Sequence, residues 1–309
     1  MSGYTMKAMQ AQEYGAPETL RLREVPRPTP GEGQVLVRVR AAAVNPADWK
    51  HLAGMFRQWH PAAFPLTPGQ EGSGVVETVG PGVTHLRGGQ EVFGAMIGSY
   101  AQYALASADD LQLKPQNLSF EEAATLTVGG LTAWGAVIDT AQIQAGQRVL
   151  VHGAAGGVGL YAVQLACWKG AHVTGTASAA NLDLVRALGA EEALDYAAGP
   201  FEKTLSGLDA VIDTVGGDLP AQSVKVVRRG GIVVSVAGGI PEGLGDEQGV
   251  RALSAGRAKA SNLAQLKELV EEGKLRTIVG KEFPLQEAGQ ALALVQTGHG
   301  RGRTVLLID

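Results

Sequence analysis

The sequence predicts an α/β protein in two parts, a doubly wound parallel sheet and a mostly antiparallel β-barrel. Three observations carry that prediction. Short apolar stretches bounded by glycine follow one another over residues 6 to 123. An apolar run at 149–166, "VLVHGAAGGVGLYAVQLA", breaks into glycines and resumes with helical spacing, after which strands and helices alternate. The tail then leaves this alternation and closes on one more strand-like run. Strands separated by helices of this length form a parallel sheet, and evenly punctuated short strands form a small barrel. A chain of 309 residues exceeds what one core usually serves, so two domains are expected.

Taken in order, "EVPRPTPGEGQVLVRVRAAAVN" is a proline-rich connector that passes Gly31 and Gly33 and enters the strand "QVLVRVRAAAV". Its alternation puts Val35, Val37 and Val39 on one face and Leu36, Arg38 and Arg40 on the other. "GSGVVETVGPGV", "GQEVFGAM" and "SYAQYALAS" are further strands. Ser119 and Glu122 make a capping box that opens a helical stretch, "SFEEAATLTVGGLTAWGAVIDTAQI". From Gln147 the strands "RVLVHG", "AHVTGTAS", "EALDY", "LDAVIDTVGG" and "GIVVSVAGG" alternate with the helices "GVGLYAVQLACWKG", "AANLDLVRALG" and "LPAQSVKVVRRG". The tail reads as an amphipathic helix "NLAQLKELVEEGKL", an extended "TIVGKEFPL", a helix "QEAGQALALVQTG" and a strand "RTVLLID". That last strand is expected to return to the first domain.

Hydrophobic content of 45% against 18% charged residues describes an ordered globular chain. The net charge of −4 and the lack of a Lys/Arg stripe argue against nucleic acid or an anionic membrane as partner. No apolar run reaches the roughly 18 residues that span a bilayer, and the first residues carry no apolar leader, so a cytoplasmic location is expected. The single cysteine, Cys167, forbids an internal disulfide and every multi-cysteine zinc site. It is expected to be a buried, inert thiol.

His152 to Gly159 reads H-G-A-A-G-G-V-G, with Gly156 and Gly159 at the second and third glycine positions of a dinucleotide fingerprint and Ala154 at the first. Bare backbone lets pyrophosphate oxygens reach amides at a helix N-terminus. The same glycines also suit a tight structural turn. A strand before, a helix after and a βαβ unit around the turn favour the cofactor. About 20 residues on, where NAD sites place an acid for the ribose hydroxyl, stands Ser178 with no acid adjacent. Ser178 and Asn181 are suited to donate to a 2′-phosphate, which selects NADPH, while Ser178 is equally suited to cap the next helix.

These strings, together with "VRALGAEEALDY", "VIDTVGG", "GHGRGRTVLLI", "PGEGQVLVRVRAAAVNPADWK" and "PGQEGSGVVETVGPGV", resemble the medium-chain dehydrogenase/reductase superfamily, and within it the zinc-independent quinone oxidoreductase-like enzymes. The resemblance implies a discontinuous GroES-like catalytic domain, 1–123 and 259–309, around a Rossmann domain, 124–258, with NADPH in the cleft between them. It implies that Ala155, Gly156, Gly157 and Val158 line the pyrophosphate. Ser178, Asn181 and Tyr196 would surround the adenosine phosphate, and Val215 and Ala237 would lie against the cofactor, Ala237 near the nicotinamide. Relatives often carry Lys at the position of Asn181. Thr127 and Thr132 are placed on the nicotinamide side, and Asn45 near nicotinamide and substrate. Zinc-dependent cousins have Cys at the position of Asn45 and His at that of Gln70. Neither that site nor the cousins' four-cysteine structural lobe can be assembled from this chain.

Without a metal to polarise a carbonyl, a good acceptor must already attract hydride, as quinones and α,β-unsaturated carbonyls do. The candidate catalytic residues are Asn45 and Lys50. Lys50 is either an ammonium that stabilises a developing enolate or quinol anion, or a solvated surface lysine. Asp48 is expected to order its loop as a hydrogen-bond acceptor. Trp49, Phe56 and Trp59 either wall a substrate pocket or pack in the core. Tyr100 and Tyr103 are read as packing rather than as acids, and His299, Arg301 and Arg303 as exposed tail charge rather than, for one of the arginines, a contact to the cofactor phosphates. A non-catalytic NADPH-binding protein of the zeta-crystallin-like kind and a zinc-free NADP-dependent alcohol dehydrogenase stay open as alternatives. Relatives pair an edge strand near "GGIPEGLGDEQGVRALSAGRAKA" across a two-fold, so a homodimer is expected.

Overall fold

The computed structural model describes residues 4–309. The chain divides into two compact units. One is made of Met1–Val128, Leu263–Glu271 and Thr277–Asp309, the other of Gly129–Asn262 and Glu272–Arg276.

The first unit holds the strands β1 (Thr5–Gln10), β2 (Arg21–Pro26), β3 (Gln34–Val44), β4 (Glu71–Val79), β5 (Glu91–Ala95), β6 (Tyr103–Ser107) and β7 (Leu111–Leu113). β3 is the organising strand. Its alternation buries Val35, Val37 and Val39 and leaves Arg38 and Arg40 in solvent. It pairs antiparallel with β4 and with β6. The short helix α1 (Pro46–Leu52) follows it directly, and α2 (Phe120–Ala124) opens on the Ser119 and Glu122 capping box. α3 runs Leu126–Trp134.

In the second unit six parallel strands form one sheet, β8 (Arg148–His152), β9 (His172–Ala177), β10 (Glu192–Asp195), β11 (Leu208–Asp213), β12 (Val227–Ser235) and β13 (Arg251–Ser254). Their order, β10-β9-β8-β11-β12-β13, is doubly wound about β8 and β11. Helix α4 (Gly159–Trp168) is buried on every side from Gly159 to Ala166, which explains its unbroken apolar character. The connection β9 to β10 starts with a 3₁₀ turn, Ala179–Asn181, before α5 (Leu182–Ala187). The helix expected over "LPAQSVKVVRRG" is shorter than its string: α6 ends at Val224 (Leu219–Val224). The following Val227, Arg228 and Arg229 join β12, where Val227 is buried opposite Leu208 and Arg228 pairs with Asp209. Strand pairing overrides helix propensity there.

The tail returns to the first unit. α7 (Leu263–Glu271) buries Leu263, Leu266, Leu269 and Val270 at helical spacing. β14 (Val279–Pro284), α8 (Ala288–Gln296) and β15 (Arg303–Leu307) follow. β15 pairs antiparallel with β3, completing a seven-stranded, mostly antiparallel sheet. Among the described residues no helix is long and apolar enough to cross a membrane.

Candidate functional site

The glycine turn of the second unit is built around two close approaches. β8 ends at His152, and Gly153 adopts φ +67°, where a Cβ would stand 2.7 Å from the Thr214 hydroxyl and 2.9 Å from the Val215 side chain. The Ala154 amide donates to Thr176 and the Gly156 amide donates back to Gly153, each at 2.9 Å. A Cβ at Gly159 would collide with the Gly153 carbonyl, so only glycine lets α4 start this close to β8. The amides of Ala155, Gly157 and Val158 find no acceptor among the described residues; the first two lie in the turn that leads to a ten-residue helix and Val158 is its N-cap. Bare donors at a helix N-terminus fit the pyrophosphate of a nicotinamide dinucleotide.

At the end of β9 the structure brings together Ser178, Asn181 and Tyr196. The Tyr196 amide donates to Ala177 at 3.2 Å, and Asn181 Nδ2 donates to Ser178 Oγ at 3.1 Å. Ser178 occupies the N-cap position of the 3₁₀ turn with its hydroxyl unused for capping. Tyr196 and Val215 are exposed, 56% and 57%, as surfaces that receive a ligand are. The sequence places His152 at the start of the turn and carries no sign of its surroundings. It is buried between the hydroxyls of Thr176 (3.1 Å) and Ser223 (3.2 Å), and burial pushes its imidazole down from 6.5 to about 4. Cys167 is half-buried and donates to the Gly189 carbonyl, with its thiol pushed up to about 11, chiefly by burial.

The first unit gathers a different set. Asn45 is the N-cap of α1, and its amide donates to Asp48 at 2.9 Å in a capping box, so Asp48 does order its loop. β3 lies between β15 and β4, which brings Arg303 and Glu71 to the end of β3 where Asn45 begins the helix. Glu71 Oε1 accepts from Asn45 Nδ2 at 2.9 Å and from the Arg303 guanidinium, while Oε2 accepts from the Val128 amide at 2.6 Å. Arg303 also donates to Asn45 Oδ1 at 2.8 Å. Glu71 and Arg303 thus form a buried ion pair with side chains 0% and 3% exposed.

Asp48 extends the network. It accepts from Tyr100 at 2.9 Å and from Gln70 Nε2 at 3.2 Å. Its carboxyl is pushed up to about 6, foremost by burial and further by Glu71, against the hydrogen bonds it accepts. Burial, then the charge of Asp48, holds the Tyr100 phenol well above its ordinary value.

Two expectations change, those for Arg303 and Tyr100. Arg303 is not exposed tail charge, because the β15–β3 pairing carries it into the interior; His299 and Arg301 are exposed. Tyr100 does more than pack, since its hydroxyl is a donor to Asp48. Asn45 is 1% exposed with both ends of its amide engaged, so it orients Glu71 and Arg303. Lys50 is half-buried in the last turn of α1, its ammonium 5.8 Å from the Trp49 ring centre. Trp49 packs against the core of the unit, Phe56 is half-buried and Trp59 is 70% exposed. Thr127, next to the Val128 that holds Glu71, is buried, and its hydroxyl has no partner among the described residues. Thr132 is half-buried in the second unit, and Ala237 lies in the loop after β12.

The fold has counterparts among known proteins. The family described as "Alcohol dehydrogenase GroES-like domain" matches residues 31–116, and that described as "Zinc-binding dehydrogenase" matches 188–306. The chain is 34% identical to the chloroplast envelope quinone oxidoreductase homolog of Arabidopsis thaliana, over 99% of both proteins. It is 33% identical to the chloroplastic NADPH-dependent alkenal/one oxidoreductase of the same plant, over 97% of this chain and 79% of that one. The structure of the quinone oxidoreductase from Coxiella burnetii superposes with a TM-score of 0.89 at 35% identity, over 99% of this chain and 100% of the other. Similarity that runs through both units means that the protein belongs to the medium-chain dehydrogenase/reductase superfamily, as an oxidoreductase of its quinone oxidoreductase-like family.

Proposed function

We propose that the protein is an NADPH-dependent oxidoreductase that passes hydride to quinones or α,β-unsaturated carbonyl compounds without zinc. The observation that carries this reading is the chemistry of the Asn45 cluster. The carboxylate a cation would seek, Glu71, already binds a guanidinium and two N–H groups, and its neighbours Asn45 and Gln70 present amides. Among the described residues no three His, Cys, Asp or Glu side chains are grouped to hold a metal ion. The N–H that Gln70 keeps after binding Asp48 suits charge on an acceptor that is already electron-poor, and quinones and enones meet that condition. The activities for which the two Arabidopsis thaliana relatives are named point the same way.

When bound, the cofactor would supply hydride from its nicotinamide ring. The amides from Ala155 to Val158 would hold its pyrophosphate, and Ser178, Asn181 and Tyr196 its 2′-phosphate. Val215, Ala237 and the unpartnered Thr127 hydroxyl would meet the nicotinamide half. Gln70 uses one amide hydrogen on Asp48, which fixes its orientation, and keeps the other for an acceptor oxygen. Lys50 would stabilise the same oxygen as charge develops, and Asn45 holds the framework behind them.

The test is steady-state oxidation of NADPH and of NADH with benzoquinone, phenanthrenequinone and an alkenal, alongside metal analysis and light scattering. Turnover that prefers NADPH in metal-free protein is expected, from a homodimer of the 32.0 kDa chain. Tight NADPH binding with no turnover on any acceptor would instead favour a non-catalytic binding protein. Activity that tracks stoichiometric zinc defeats the proposal.

A further inference from the structure

The four central strands of the parallel sheet each carry one buried polar side chain at their carboxyl ends. They are Thr176 on β9, His152 on β8, Asp213 on β11 and Ser235 on β12, none more than 4% exposed. Register sets Asp213 directly beside His152 on one side and Ser235 on the other. A carboxylate in this position is tolerated only if its oxygens are well supplied with donors.

Asp213 is supplied almost wholly by loop backbone. Its Oδ1 accepts from the amides of Val215 (2.9 Å) and Gly216 (3.0 Å). Its Oδ2 accepts from Gly216 (3.1 Å) and from the Ser235 hydroxyl (2.7 Å). Ser235 Oγ in turn accepts from the Ala237 amide at 3.3 Å, and the Val236 amide donates to the Asp213 carbonyl at 3.0 Å. One side chain therefore orders two successive loops at the carboxyl edge of the sheet, the edge where doubly wound folds bind ligands. The loops meet closely: a Cβ on Gly216, which has φ +85°, would lie 3.2 Å from the Ala237 methyl. The Thr214 hydroxyl ties the first loop to the His152 carbonyl at 2.7 Å.

We propose that Asp213 is a positioning residue for the nicotinamide half of the cofactor site. Through the Val215 and Gly216 amides, and through Ser235, it sets the two loops that carry Val215 and Ala237, while the adenosine half at Ser178, Asn181 and Tyr196 stands independently of it. This rests on the cofactor reading given above. A carboxylate that only stabilised the sheet would affect both halves alike.

Calorimetric titration of NADPH and of adenosine 2′,5′-bisphosphate, which carries only the adenosine half, separates these cases. Asp213→Asn keeps the size but puts donor hydrogens against other donors. It is expected to raise the Kd for NADPH about tenfold and Ser235→Ala about threefold, with bisphosphate affinity within about twofold of wild type. Equal losses for both ligands, or unchanged NADPH affinity in both variants, overturns the assignment. Should Asp213→Asn fail to fold, the pattern in Ser235→Ala decides alone. Wild-type protein that binds the bisphosphate but not NADPH refutes the role given to the nicotinamide loops. Wild type that binds neither refutes the cofactor reading itself, and this assignment with it.

Discussion

The two units bury polar groups in contrasting ways. In the first, side chains hold side chains: Glu71, Arg303, Asn45, Asp48, Gln70 and Tyr100 close a network over long stretches of chain. In the second, beside the hydroxyl contacts of His152 and Asp213, a buried carboxylate holds loop backbone, as Asp213 does for Val215 and Gly216 two and three residues on. Satisfaction differs too. Among the described residues, the buried side-chain polar atoms without a partner belong to Trp49, His51, Ser99, Thr127, Thr277 and Arg303 in the first unit and to Trp134 alone in the second. Backbone amides in a turn come with fixed geometry, so a carboxylate nearby can be fully served. A network of side chains from separate strands leaves gaps, and a gap with a donor in it is where a ligand's oxygen gains most.

The largest expected effect breaks the first unit's network at its one ion pair. Arg303→Met leaves Glu71 charged and buried with only N–H partners. The loss is expected to be about 4 kcal/mol of unfolding free energy, measured by urea denaturation. Pairing it with Glu71→Gln should recover most of that loss, because the uncompensated charge is then gone. A single-variant loss under about 1 kcal/mol would mean that Arg303 is dispensable and the network is held by its neutral hydrogen bonds.

The pH response comes next, and the units should move in opposite directions. His152 has its folded value at about 4, below the ordinary 6.5, so between these the unfolded chain takes the proton first. Stability of the second unit is therefore lost as pH falls through that window, by about 3 kcal/mol. Asp48 has its folded value at about 6, above the ordinary 3.8. The folded first unit takes that proton first and gains about 3 kcal/mol as pH falls from 6 towards 3.8. Calorimetry of wild type, His152→Gln and Asp48→Asn across this range reads each contribution as a difference. Contributions of the same sign from both residues would remove the contrast.

What could be read from the sequence divides along the same line. The glycine turn at 152–159, the Ser119 and Glu122 capping box and the strand Gln34–Val44 are contiguous, and local spacing specifies each of them. Asp48 was legible as a loop-ordering acceptor because its capping partner is three residues away. Arg303 was not: nothing in "GHGRGRTVLLI" shows that it meets Glu71, 232 residues earlier. That contact depends on β15 pairing with β3 while β4 pairs along the same strand. Tyr100 reaches Asp48 across 52 residues for the same kind of reason. Asp213 lies between. The string "VIDTVGG" marks a strand and turn, but the turn's dependence on the Asp213 carboxylate and on Ser235 appears only once β11 and β12 are paired.

The smallest expected effect asks whether the unfilled donors of the first unit serve a ligand or are packing defects. Thr127→Val keeps the branched shape and removes the buried hydroxyl that lacks a partner. Without cofactor the variant should be more stable by about 1 kcal/mol, since an unsatisfied polar group leaves the interior. With NADPH the sign should reverse, and affinity should fall about fivefold as the hydroxyl's hydrogen bond to the ligand is lost. Trp134→Phe, which removes the one buried side-chain donor without a partner among the described residues of the second unit, is the control and should leave NADPH affinity unchanged. A Thr127→Val protein that is more stable yet binds NADPH as well as wild type would make the hydroxyl a defect, and the unequal distribution of unpartnered groups would then say nothing about function.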